Sequence, residues 1–223
     1  MDVDITIKNY RCFPDSRPAR ISLRKGFTAF VGTNNSGKSS LLKFFFEFRN
    51  LFQQLSHPSD DLLRALLGSV QAFSLAPSVL DVEDLFCNRN DHDLQIQLQF
   101  VGSDQGSEQD GDLNPRRLDI TIPRTTNQWR AEFHLPSGQL DVSQEPRKFQ
   151  GTKLWFGGLP KVELASTFEI CRALAEVLYI GPFRNAINIG ASENYFDIRV
   201  GQAFITQWRQ WKSGDVTKQN EAA

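Results

Sequence analysis

The feature that most constrains this chain is the stretch GTNNSGKS at residues 32–39, in which two glycines frame a turn that ends in a lysine and a serine. An apolar strand pattern at residues 27–31 precedes this stretch, and a helical pattern follows it. Glycines let the backbone curl so that consecutive N–H groups point at one site, and the positive end of the following helix strengthens their field. The spacing matches the Walker A pattern and predicts a loop that binds nucleotide phosphates.

The residue types of this loop have separate predicted roles. Gly32 and Gly37 allow the turn, and the Lys38 amino group, the predicted catalytic group, reaches the β and γ phosphates. The Ser39 hydroxyl is the predicted Mg²⁺ ligand, and Ser40 is expected to contact the α phosphate. The predicted binding set in the loop is Gly32, Asn34, Asn35, Ser36, Gly37, Lys38, Ser39 and Ser40. The motif alone does not separate ATP from GTP.

The composition indicates a soluble, globular protein of the cytoplasm. The chain has 223 residues, 40% of them hydrophobic, with 18 Phe and 4 Trp, which is enough for a sizeable core. Its formal charge of −1 offers no general argument for binding nucleic acid or an anionic membrane. No apolar run is long enough to span a bilayer, and the three widely spaced cysteines, Cys12, Cys87 and Cys171, are typical of reduced thiols.

Hydrophobic periodicity predicts two strands before the loop and helices after it. Val3, Ile5 and Ile7 alternate with polar residues, and a second alternating run begins at residue 19. Residues 41–55 read as one mostly buried helix. A shorter helix follows, with Ser59 or Asp60 as its cap.

The middle of the chain reads differently. Residues 94–100, 118–122 and 129–135 alternate strictly, which predicts an antiparallel meander with one wet face. A helix, a short strand over 177–180 and an amphipathic helix near the C-terminus are expected after it. The predicted fold is therefore α/β, a P-loop NTPase lobe with an inserted antiparallel β subdomain. The predicted domains are an ATPase lobe at 1–90, an insertion at 91–150 with an acidic loop at 102–115, and a return to the lobe at 151–223.

The segments ITIKNYRCF, residues 5–13, and FVGTNNSGKSSLL, residues 30–42, together resemble ABC-class P-loop ATPases of the RecF, SMC and OLD (overcoming lysogenization defect) group. The resemblance spans residues 3–48 and is weaker at LYIGPFRNAI, residues 178–187. It implies that the nucleotide is ATP, that Asn9, Tyr10 and Arg11 lie beside it, and that Arg11 contacts its phosphates. An ordinary surface arginine is the alternative for Arg11. Asn34 and Asn35 are expected to shape the loop, and one of them to reach the γ phosphate or its attacking water.

Other parts expected of such an ATPase are not legible in the sequence. No apolar strand ends in Asp-Glu, the nearest stretch being SVLDVED at residues 78–84, and no Ser-Gly-Gly signature occurs. We therefore expect an N-terminal portion of a longer ATPase, as a truncation or a natural fragment, that alone binds ATP but hydrolyses little or none. Arg184, after the strand at 177–180, is either a phosphate sensor or an exposed arginine.

Two functions remain open at this point. In the first, ATP binding and hydrolysis in a full-length homodimer drive DNA processing, repair or phage defence, and DNA or a nuclease partner is implied by the resemblance alone. In the second, the chain is a nucleotide-binding interaction module that recruits a partner protein without turnover. For the first function we expect the full-length protein to be an ATPase and this chain alone to be inactive or nearly so.

Overall fold

The computed structural model describes residues 2–33, 36–101, 113–140, 147–156, 162–180 and 195–196, of which 179–180 and 195–196 are described by their backbone alone. Residues 1–176 form one compact unit and residues 177–223 another. The described strands are β1 (Val3–Lys8), β2 (Ala19–Leu23), β3 (Gln71–Ala72), β4 (Leu94–Phe100), β5 (Arg117–Ile122), β6 (Gln128–Leu135), β7 (Gly138–Gln139), β8 (Arg147–Gln150), β9 (Lys153–Phe156), β10 (Val162–Glu163), β11 (Tyr179–Ile180) and β12 (Tyr195–Phe196). The described helices are α1 (Lys38–Glu47), α2 (Arg49–Gln54), α3 (Asp60–Leu66) and α4 (Ala165–Ala175), with a 3-10 helix at Val82–Leu85.

The first unit is built on a seven-stranded sheet with the strand order β2-β1-β4-β5-β6-β3, to which β7 adds beside β6. Neighbouring strands are antiparallel throughout, with Ile5 opposite Leu98 between β1 and β4. The predicted meander is thus confirmed as β4, β5 and β6. It pairs directly with β1, so the N-terminal strands and the meander share one sheet. The domain limits at residues 90 and 150 stay predictions.

One face of this sheet forms the core and the other is wet, as the alternation predicted. Val3, Ile5 and Ile7 are fully buried, whereas the residues between them are only partly buried. The same period holds in β4 and β6, and the largest side chain on the buried face is Trp129. Its indole Nε1 donates a hydrogen bond to Gln54 Oε1 at 2.8 Å, which joins β6 to α2.

The predicted helix over 41–55 is divided into α1 and α2 at Phe48, whose φ of −100° and ψ of 8° depart from the helical region. Phe48 nevertheless stays fully buried. Its ring packs against Tyr10 and Phe44, with centroids 5.8 and 5.0 Å apart, and against Phe73 at 5.9 Å. The break therefore coincides with an aromatic cluster that joins α1, the residues after β1 and the residues after β3.

The expected strand over residues 27–31 is wrong, because the described structure has no regular element between β2 and α1. Phe27 and Val31 are 94% and 96% exposed. A strand requires a neighbouring backbone for its N–H and C=O groups, and no described strand pairs with this segment. An apolar β pattern alone is therefore insufficient to form the strand here.

The shorter elements largely follow the sequence. Ser59 caps α3, since its Oγ accepts a hydrogen bond from the Leu62 N–H at 3.1 Å. The helix expected after the meander is α4, and the strand expected near 177–180 is β11, which pairs in parallel with β12 inside the second unit. Strands β8, β9 and β10 form a separate antiparallel sheet.

Several predicted features lie outside the described residues. These are residues 102–112 of the acidic loop predicted at 102–115, the arginine element at 181–187 and the C-terminal helix. Among the described helices, none is long and apolar enough to cross a membrane.

Truncation of a buried aromatic side chain should destabilise the first unit far more than the same truncation at the surface. We expect Phe52→Ala to lower the free energy of unfolding by about 3–5 kcal/mol, because Phe52 is fully buried. Phe27→Ala removes the same atoms from a 94% exposed site and should change it by about 0.5 kcal/mol or less. Urea denaturation followed by circular dichroism measures both, and equal losses would contradict this description of the core.

Candidate phosphate-binding site

The loop of residues 32–37 leads directly into α1, whose first residue is Lys38. Gly37 has a φ of 89°, in the left-handed region that favours glycine. A Cβ added at Gly37 would lie 2.6 Å from Phe13 Cζ and 2.9 Å from Cys12 Sγ. Glycine is therefore required at this position twice over, once by the backbone angle and once by the close approach of the turn after β1.

The loop is folded around the amino group of its own lysine. Lys38 Nζ donates hydrogen bonds to the carbonyl oxygens of Gly32 and Thr33, at 2.8 and 2.5 Å, and lies 3.2 Å from Ser36 Oγ. The cation is thus held over the mouth of the loop rather than extended into solvent. Glycine suits position 32 because a Cβ there would lie only 3.0 Å from Ser36 Oγ.

The N-terminal end of α1 is suited to an anion. Its first intrahelical hydrogen bond runs from Leu41 N to Gly37 O at 2.9 Å, so the N–H groups of Lys38, Ser39 and Ser40 precede it. No side chain caps this end, and no acidic residue lies in the first turn. The partial positive charge of the helix end is therefore neither capped nor neutralised by the side chains of its own first turn.

An open cleft of about 490 Å³ lies against the loop. Its lining residues come from the loop and from the segments before and after it, among them Phe13, Arg20, Phe30, Lys38 and Leu41. Ser39 is exposed at the start of the helix, whereas Lys38 and Ser40 are half-buried. The loop thus has solvent access on the side where a phosphate chain would approach the helix end.

The turn after β1 packs against the loop at Gly37, and the backbone of this turn is unusual. Asn9 and Arg11 have φ values of 60° and 47°, which residues other than glycine adopt rarely. The buried Asn9 side chain holds the turn, since its Nδ2 donates to Asp93 O at 2.9 Å and its Oδ1 accepts from Asp15 N at 2.8 Å and Asn90 Nδ2 at 2.9 Å. The Asn-Tyr-Arg segment singled out in the sequence is therefore a tightly held turn.

Tyr10 points from this turn into the core. Its ring is fully buried and makes edge contacts with Phe44 and Phe48. Its hydroxyl group donates to Glu47 Oε2 at 2.6 Å and lies 3.1 Å from Ser40 O. Burial, reinforced by the Glu47 carboxylate, raises the pKa of Tyr10 well above its usual value, so the hydroxyl stays a donor at neutral pH.

Arg11 forms an ion pair with Glu47, a residue that the sequence analysis did not single out. Arg11 Nη2 lies 2.6 Å from Glu47 Oε1, and the Glu47 side chain is only 1% exposed. Arg11 Nε also donates to Tyr10 Oη at 3.1 Å. One signal in the sequence was available, an acid within the apolar run FFFEF, but nothing in the sequence identified its partners. The predicted contact between Arg11 and phosphate stays a prediction.

The structure brings most of the predicted loop residues together. Gly32, Ser36, Gly37, Lys38, Ser39 and Ser40 lie within the loop and the first turn of α1. Asn34, Asn35 and Arg184 lie outside the described residues. The stretch at 78–84 contains part of the 3-10 helix Val82–Leu85 rather than a strand.

The crowding at Gly37 yields a matched pair of glycine substitutions. Gly37→Ala and Gly68→Ala force alanine into similar positive φ values, 89° and 83°, which costs about 1–2 kcal/mol. Only Gly37→Ala also places a methyl group against Phe13 and Cys12, since a Cβ at Gly68 meets nothing within 4 Å. We expect Gly37→Ala to lose roughly 1–3 kcal/mol more stability in urea denaturation. Equal losses would show that the turn after β1 does not press on the loop.

Comparison with known proteins adds a family to this geometry. A family model described as AAA ATPase domain matches residues 1–152. No curated protein matches. One solved structure, reported as "Structural biochemistry of ATP-driven dimerization and DNA stimulated activation of SMC ATPases", is similar over 99% of this chain and 96% of that chain, at 14% identity and a TM-score of 0.33. A similarity this low adds nothing to the functional argument.

The family match covers the β1 segment, the phosphate loop and the meander, which together make up most of the first unit. It confirms the prediction, made from the loop and the segment before it, that this is a P-loop ATPase sequence of the α/β class. The loop wrapped around Lys38 and the uncapped start of α1 are the parts of that fold that would face a nucleotide. The chain belongs to the AAA ATPase domain family.

Proposed function

We propose that this chain binds ATP with Mg²⁺ through residues 32–40, as the N-terminal part of an ABC-class, OLD-like ATPase. The observation that carries the proposal is the position of Lys38 Nζ, held by Gly32 O and Thr33 O at the mouth of a loop that ends in an uncapped helix. A cation and a free helix end directed at one opening suit a polyphosphate.

The residues around the loop fit the two ligands. The Ser39 hydroxyl is exposed on the first turn of α1 and is the Mg²⁺ ligand in this proposal, with Ser40 toward the α phosphate. Bound Mg²⁺ would offset negative charge on the β and γ phosphates. In this proposal Asn34 and Asn35 shape the loop, and one of them reaches the γ phosphate or its attacking water.

Arg11 is assigned a second phosphate contact. The hydrogen bonds described above use its Nε and Nη2 atoms, and a guanidinium has further donors on Nη1. Its side chain is 27% exposed even though it pairs with Glu47. The same arginine thus serves both the carboxylate and a ligand in this proposal.

The role of ATP is proposed from the resemblance. In an ABC-class ATPase two lobes close around nucleotide, so we propose a homodimer of the full-length protein in which ATP binding and hydrolysis drive DNA processing, repair or phage defence. The described residues 78–84 lack a strand that could present a Walker B carboxylate, so hydrolysis requires groups beyond those described. A module that binds nucleotide and recruits a partner protein without turnover is the alternative.

Replacement of the loop lysine tests nucleotide binding. We expect Lys38→Ala to weaken Mg-ATP binding by a factor on the order of 10–100, because a charged hydrogen-bond donor to phosphate is lost. Lys43→Ala is the matched control, since it removes the same charge from the same helix without touching the three loop contacts. Isothermal titration calorimetry measures both.

Unchanged affinity in Lys38→Ala, or an equal loss in Lys43→Ala, would overturn the assignment of the loop. ATP hydrolysis by the longest natural form of the protein separates the two functions. Turnover abolished by Lys38→Ala supports the ATPase, and tight binding without turnover supports the interaction module.

The exposed thiol beside the loop gives an independent probe of binding. Cys12 is exposed, whereas Cys87 and Cys171 are buried, and burial raises the pKa of Cys171 to about 12. We expect iodoacetamide to label only Cys12 of these three in the folded protein, and Mg-ATP to slow that labelling because Cys12 Sγ lies against Gly37. Mass spectrometry of the labelled peptides measures the rates, and Lys38→Ala is the control, which should show much less protection at an Mg-ATP concentration that just saturates the wild type.

A further inference from the structure

Glu47 is a carboxylate in an apolar environment. It is 1% exposed, and its chain neighbours Phe46 and Phe48 are fully buried. An unpaired buried carboxylate costs several kcal/mol, so its retention in the core depends on its partners. Both of its oxygens are engaged by consecutive residues of one turn, Oε1 by Arg11 and Oε2 by Tyr10, each at 2.6 Å.

The same contacts reach back to the start of α1. The Tyr10 hydroxyl lies 3.1 Å from Ser40 O, and Ser40 and Glu47 are two turns apart on one face of the helix. Tyr10 therefore touches α1 near both ends. The next residues along the chain, Cys12 and Phe13, lie against Gly37. The turn at residues 9–13 thus contacts the helix at its start, at its end and at the glycine before it.

We propose that Glu47 is a positioning residue for the phosphate site. It anchors Tyr10 and Arg11, and through Tyr10 it fixes the first turn of α1, with Lys38 and Ser39, against the turn after β1. Glu47 does not touch the ligand. It sets the position of the helix end through its contacts with Tyr10 and Arg11. This inference rests on the proposed binding of ATP by the loop.

The geometry favours positioning over a general contribution to the core. A leucine or phenylalanine at position 47 would fill the same space without a charge to balance. A carboxylate instead fixes direction, because it accepts two short hydrogen bonds whose donors come from a turn with two positive φ values. Charge-assisted hydrogen bonds of this kind are directional and strong.

Two substitutions test the proposal. Glu47→Gln keeps the size of the side chain and removes the charge opposite Arg11, and Tyr10→Phe keeps the ring packing and removes the hydroxyl contacts with Glu47 and Ser40. We expect each to weaken Mg-ATP binding about tenfold, the lower end of the loss seen at metal sites when a group that orients a ligand is removed. The affinity is measured by calorimetry at a temperature where each variant is folded.

Asp119→Asn is the matched control. Its carboxylate also pairs with an arginine, Arg117, and lies 3.0 Å from His134 Nε2. Unlike Glu47, however, it lies on the wet face of the sheet. We expect its Mg-ATP affinity to equal that of the wild type. The double variant Tyr10→Phe/Glu47→Gln should bind Mg-ATP about as well as either single variant, because the two residues act as a unit.

A purely structural role makes a different prediction. If Glu47→Gln and Tyr10→Phe lower the melting temperature without nucleotide but leave the Mg-ATP dissociation constant unchanged, or if their effects on it simply add, the proposal is overturned. Should Glu47→Gln fail to fold, Tyr10→Phe carries the same test, since its ring still fills the core. If the wild type binds no Mg-ATP, the proposed function and this inference are overturned together. If Lys38→Ala weakens binding but Glu47→Gln and Tyr10→Phe bind as the wild type does, this inference alone is overturned.

Discussion

The buried contact of Tyr10 and Arg11 with Glu47 is the interaction on which the arrangement of the phosphate loop depends. It joins the turn after β1 to the last residue of α1, and Tyr10 extends the contact to Ser40 near the first. A carboxylate that is 1% exposed requires both partners, so the turn and the helix cannot separate without leaving a buried charge unpaired. This side-chain cluster thereby connects the sheet to the helix that follows the loop.

The loop itself is determined by close backbone approach. Gly37 combines a positive φ with contact to the turn below it, and Lys38 returns over the loop to its carbonyl oxygens. These features leave the start of α1 open on one side and supported on the other. The sheet supplies the support, since β1 lies between β2 and β4 and carries the turn at its end. The loop is thus supported by a strand that lies outside it.

Much of this architecture could be predicted from local patterns. The alternation in β1, β4 and β6, the cap of α3 by Ser59 and the position of the loop before α1 all depend on residues close together in the chain. The prediction of a strand at 27–31 is wrong because it, too, used only residues close together in the chain. Its apolar pattern was present, but a strand forms only with a hydrogen-bonded neighbour, and local sequence carries no information on whether one is available. The sequence likewise did not identify Glu47 as the partner of Arg11, because the two residues are far apart in the chain.

The sequence by itself predicted the class of site, because the residues of the Walker A pattern are contiguous and their chemistry follows from their spacing. It also determined the two faces of the sheet, since side chains alternate with period two. Only the tertiary structure decided that Glu47 lies opposite Tyr10 and Arg11, that the meander pairs with β1, and that the turn after β1 presses on Gly37. These contacts join residues that are far apart in the chain, and they form only when the whole unit packs.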